Sequence, residues 1–128
     1  MKHFIISVLF AILCISSQAQ ETEIHTYKNK LGRKNVFTDE YVYETPMYGS
    51  ITFYISSGYV RANDKAKSLY RFTSEPIQYD ERTYKSVSWR CIDENNNDCI
   101  FTIMSMKDSD VRVISIMYNT ISYVYYIG

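Results

Sequence analysis

Charge imbalance is missing from this chain: 14 lysines and arginines stand against 14 aspartates and glutamates, and no basic stripe is interleaved with aromatics. Nucleic-acid binding needs a concentrated positive face and is not expected. Histidine is scarce as well, with His25 the only one beyond an N-terminal leader that holds His3. Histidine-based zinc sites therefore lack ligands, and a serine–histidine relay lacks a supported base. No glycine-rich phosphate loop, nucleophile elbow or HExxH helix occurs. The expectation is a chain with no catalytic residues, no metal and no cofactor. Glycine and proline are few, at 4 and 2, and no long run of alanine and leucine exists. Without a crossover helix of about ten residues or more, α/β folds are excluded.

β-forming residues are plentiful by contrast: 13 tyrosines together with many isoleucines and valines. The first 19 residues have the three parts of an export signal, namely Lys2, a weakly polar run from Phe4 to Ile15, and Ser17-Gln18-Ala19 as a small-residue cleavage site. That run is too short for a membrane span of about 20 residues, and no later stretch approaches this length. The expected mature chain, residues 20–128, carries a side-chain charge of about −1 once Lys2 is gone. It is periplasmic or extracellular and has no transmembrane segment. Lipid anchoring through Cys14 is not expected, because Leu13 is large where such sites take a small residue. Losing Cys14 leaves Cys91 and Cys99, an even number in an exported chain, which predicts a disulfide.

Thr83 to Met106 reads as a β-hairpin of two alternating runs. One antiparallel register sets Cys91 opposite Cys99, Trp89 opposite Phe101 and Val87 opposite Ile103. All six then share a buried face, with Ser88, Arg90 and Thr102 on the other. Ser57-Gly58 turns a second hairpin that pairs Ile55 with Val60 and Phe53 with Ala62. Asp64 to Lys67 leads into Ser68–Thr73, with Tyr70 and Phe72 placed near Ala62 and Val60; a helical turn capped by Asp64 is the alternative. Val36 to Glu44 reads as a strand ended by Pro46, and Ile77 to Tyr79 as a short edge strand. Residues 20–35 are polar and turn-like around Lys28–Asn35, so a loose beginning is expected. Asn119-Thr120 joins the last two strands, pairing Ile116 with Tyr123 and Ile114 with Tyr125. The whole is an all-β antiparallel up-and-down meander of about seven to nine strands in one domain, closed as a barrel or split into two sheets.

Asp93 to Asp98 has oxygen ligands at alternate positions, but Asp98 stands where a calcium loop needs glycine and Met104 where it needs glutamate. A hydrated turn explains the same residues. Asp39, Glu40, Glu44, Asp80 and Glu81 are the carboxylates that a hydrolase would need to bring together, and nothing in their spacing does so. Two surfaces remain as candidates for binding. Tyr54, Tyr59 and Arg61 share the face opposite Phe53 and Val60. Val113, Met117, Val124 and Tyr126 make the reverse side of the last two strands apolar, so that something must cover it. The expected function is a small exported non-catalytic binding or interaction module. Its partner is a protein, a second copy included, or a small apolar ligand held in a barrel cavity; a carboxylate-dependent hydrolase is the further alternative.

Overall fold

A computed structural model describes residues 21–128. The expected export signal, its expected cleavage site and Cys14 lie outside the described residues. Ten strands follow in order: β1 (Thr22–Lys34), β2 (Tyr41–Tyr43), β3 (Met47–Ile55), β4 (Tyr59–Ala62), β5 (Leu69–Phe72), β6 (Ile77–Asp80), β7 (Tyr84–Ile92), β8 (Asp98–Met106), β9 (Arg112–Met117) and β10 (Ile121–Ile127). Every pairing is antiparallel, and β10 pairs back onto β1, so the meander closes into an eight-stranded barrel. Two wall positions are shared by broken strands. Both β2 and β3 lie along the same edge of β1, separated at Thr45-Pro46, and β5 and β6 share the edge of β7. Proline removes a ladder donor, which is why the wall breaks there and again before β6 at Pro76.

Hairpin registers agree with the alternation of apolar residues. Cys91 faces Cys99, Trp89 faces Phe101 and Val87 faces Ile103. Phe53 faces Ala62 and Ile55 faces Val60, while Ile116 faces Tyr123 and Ile114 faces Tyr125. Inside the barrel the aromatic rings stack upon one another: Phe72 lies flat on Trp89 at 4.7 Å, and Phe101 sits 5.9 to 6.3 Å from Trp89, Phe72 and Phe53. Burial of this set against Ile103, Ile114 and Ile116 supplies the hydrophobic driving force.

Three segments depart from the expectations. The polar beginning is one continuous 13-residue strand, β1, which joins β3 to β10 and closes the barrel. A bulge between Thr26 and Lys28 shifts its parity, and this hides the alternation. Residues 35–40 form a turn instead of strand, because Asn35 Oδ1 accepts the amides of Phe37 (2.8 Å) and Thr38 (3.4 Å) and Asp39 takes a left-handed φ of 62°. Finally, Tyr70 pairs with Val60, and Ala62 N donates to Ser68 O at 2.8 Å. The β4–β5 loop takes up the difference, with Asp64 Oδ1 and Oδ2 accepting from Ser68 N and Oγ and Lys67 left-handed at φ 54°.

Candidate functional site

In an up-and-down barrel alternate connections share one end. The loops β4–β5, β7–β8 and β9–β10 therefore meet, and they rim a pocket of about 380 Å³. Tyr70, Tyr118, Tyr123 and Tyr125 wall it, with Asp64, Ser68, Asp93 and Asn97 on the rim. Tyr123 and Tyr125 are inward residues of β10, since they face Ile116 and Ile114. Below them Tyr125 meets Phe53 edge-on at 4.9 Å, so the aromatic core forms the floor. Register also carries Leu31 to the side of Tyr123, and Met47 through Asn29 to the side of Tyr125, extending the inner wall as a lip.

Hydrogen bonding fixes part of the rim. Asp93 Oδ1 accepts the amides of Asn95 and Asn97, both at 2.9 Å, and its Oδ2 accepts the Tyr118 hydroxyl at 2.8 Å. Burial opposes ionisation of Asp93, but these bonds outweigh it and hold its carboxyl below the usual aspartate range. Burial pushes the Tyr70 hydroxyl up to about 12, and burial also raises Tyr118 and Tyr125. All three stay protonated, as hydrogen-bond donors. The Tyr123 and Tyr125 hydroxyls make no hydrogen bond among the described residues.

The surfaces singled out from the sequence are engaged within the chain. Arg61 lies over the Tyr54 ring at 3.9 Å and clamps Glu21 through Nε (2.7 Å) and Nη2 (2.9 Å), and Tyr59 donates to the same carboxylate at 2.9 Å. On the outer side of β9 and β10, Val124 is only 8% exposed. Lys30 stands opposite it and reaches over the Tyr43 ring at 4.6 Å, and Lys28 lies over Tyr126 at 4.5 Å. The ammonium groups of these two lysines thus rest on tyrosine rings beside the apolar face. Val113 and Met117 are half-buried neighbours of Tyr126 and Ser122.

Cys91 and Cys99 are buried with their sulfurs 2.9 Å apart, close but not at bonding distance. The hydrogen bond between the thiols, with burial, holds the Cys91 proton well above the usual thiol range. His25 is exposed, with Nδ1 2.9 Å from Thr52 Oγ1. Asp39 pairs with Lys34 at 2.9 Å, Glu44 with Arg33 at 3.8 Å and Asp80 with Lys107, so these carboxylates are tied to cations. The sequence alone does not assemble the mouth: it offers Asp93 and Asn97 as a hydrated turn or calcium loop, Asp64 as a cap, and Tyr70, Tyr123 and Tyr125 as strand partners. Their signal is the inward parity of tyrosines at strand ends, which has meaning only once closure puts the three loops together. Comparisons with protein families, curated proteins and solved structures find no match to this chain.

Proposed function

We propose that this chain is an exported, non-catalytic binding domain whose ligand enters the open end of the barrel. One observation carries the reading: four tyrosines from β5, β10 and the β9–β10 turn converge on a pocket of about 380 Å³, two of them with hydroxyls that bond to nothing among the described residues. The size suits a small molecule, and an aromatic wall with a few convergent polar groups is the usual make-up of such sites. Polar rim groups favour a polar ligand over apolar cargo. The outer surfaces at Tyr54/Tyr59/Arg61 and Val113/Met117/Val124/Tyr126 support a protein partner less well, because their polar and aromatic groups already contact one another, Glu21 or the β1 lysines.

Asp64 and Asp93 share the pocket, which is the arrangement a carboxylate hydrolase would need. A general acid must hold its proton near neutrality, whereas Asp93 accepts three donors and stays charged. Binding without chemistry is therefore the better reading. Export by the leader fits a Cys91–Cys99 bridge, formed outside the cytosol when the facing thiols pass two electrons and two protons to a disulfide oxidant by thiol–disulfide exchange. The bridge would close the β7–β8 hairpin directly below the pocket rim.

A thermal-shift panel of small amines, amino acids, sugars and carboxylic acids tests the site. At least one compound should raise the Tm of the native chain and leave that of Tyr123→Leu unmoved, since a ligand stabilises only the state that binds it. A panel with no Tm shift, or with equal shifts in both proteins, would overturn the assignment to the mouth.

A further inference from the structure

We infer that the barrel mouth selects a small organic cation, either a protonated amine or a quaternary ammonium. This rests on the reading of the mouth as a binding site and adds the sign of its ligand's charge. The Tyr118 and Tyr123 rings stand at 83° with centroids 6.3 Å apart, two walls at a right angle. Tyr70 and Tyr125 complete the enclosure. The face of each ring carries the negative part of its quadrupole, which is the physical basis of aromatic cages for ammonium groups.

Charge on the rim points the same way. Glu21, Asp39, Glu44 and Asp80 each pair with a lysine or arginine, but Asp64 and Asp93 have no such partner among the described residues. The residues lining the pocket include two carboxylates and no lysine, arginine or histidine. Bonds from Asn95, Asn97 and Tyr118 stabilise the charge of Asp93 without neutralising it, and those from Ser68 do not neutralise Asp64. In a cleft of reduced dielectric this uncompensated charge attracts a cation and repels carboxylate and phosphate ligands. A neutral sugar could stack on the same rings and donate to the same oxygens, but it would gain nothing from the charge.

Choline, its uncharged isostere 3,3-dimethylbutan-1-ol, and glucose are titrated into the full chain while the tyrosine ring resonances are followed by NMR. Choline should move Tyr118, Tyr123 and Tyr125 and bind about tenfold more tightly than the isostere, the scale of a cation–π contact plus a partly screened ion pair. That preference should shrink to the smaller cation–π part in Asp64→Asn/Asp93→Asn, which keeps Oδ1 as the acceptor for the Ser68, Asn95 and Asn97 amides. If that double variant does not fold, Tyr123→Leu replaces it, at a residue 37% exposed, and should weaken choline more than the isostere. Isostere or glucose binding at the mouth as tightly as choline would overturn the cation inference and leave the mouth as a binding site. Choline binding that leaves the mouth tyrosines unmoved would also overturn it, as would a preference undiminished by the aspartate substitutions. If none of the three probes binds, the cation inference fails, and the thermal-shift panel decides separately on the mouth.

Discussion

Phe101 and Phe37 are the same residue in opposite surroundings, and replacing each with alanine isolates what the barrel interior contributes. Phe101 is fully buried and Phe37 is 94% exposed. Phe101 lies between Trp89 and Ile116 in register, and its ring is 5.9 Å from Trp89, 6.1 Å from Phe72 and 6.3 Å from Phe53. Alanine there removes a ring that three other rings surround, and closure of the wall limits how far they can collapse. The expected loss is about 3–5 kcal/mol, against a total of roughly 5–15 kcal/mol for a domain of this size. Phe37→Ala should stay within about 0.5 kcal/mol of the native chain. Urea unfolding followed by tryptophan fluorescence is a suitable assay, because the single Trp89 is 3% exposed and stacked on Phe72. The Phe101→Ala midpoint should fall with the slope unchanged. A loss below about 1 kcal/mol, or equal losses at the two sites, would refute the packing argument.

Other predictions address the wall and the hairpin. A β-carbon on Gly32 would come within 2.5 Å of the Tyr43 ring, so Gly32→Ala should cost roughly 1–3 kcal/mol in the native chain and close to nothing in a Tyr43→Ala background; a double-mutant cycle without coupling would contradict this contact. If the chain is exported as proposed, non-reducing mass spectrometry of the protein from the extracytosolic fraction should show Cys91 and Cys99 two hydrogens short of the dithiol. Reduction should then cost about 2.6 kcal/mol on the chain-entropy argument for a nine-residue loop, whereas two free thiols would remove the bridge. The hydrogen bond from Arg61 holds the Glu21 carboxyl below its ordinary pKa of 4.5. Its stabilising contribution is therefore full above the unfolded value and is lost as pH falls through the lower folded one. Glu21→Gln should flatten that part of the acid limb of a stability–pH profile, by a small amount at this partly exposed site; an unchanged limb would exclude the clamp.

Strand pairing was legible wherever alternating runs flanked a short polar connection, because only one register then puts the apolar residues of both strands on the same face. Phe53/Ala62 and Ile114/Tyr125 followed from two-residue turns, and Cys91/Cys99 from the matched alternation on either side of the longer tip 93–97. Barrel and sandwich were not separable, since closure depends on β1, whose outward residues are Lys28, Lys30 and Gly32 and whose parity slips at the Tyr27 bulge. Lys28 and Lys30, which stand opposite Tyr126 and Val124 in the closed wall, look like loop charges in sequence. The mouth was illegible for the same reason: Tyr70, Asp93 and Tyr123 come from segments far apart in the chain, and only a closed wall with alternating loop ends brings them together.

Tyrosine-selective NMR of the chain with the strongest compound from the thermal-shift panel tests the binding mouth most directly. Resonances of Tyr70, Tyr118, Tyr123 and Tyr125 should move together, with those of Tyr54, Tyr59 and Tyr126 unchanged. Movement of Tyr54 and Tyr59, or of Tyr126, with the four mouth tyrosines still would place binding on the outer wall and contradict the account.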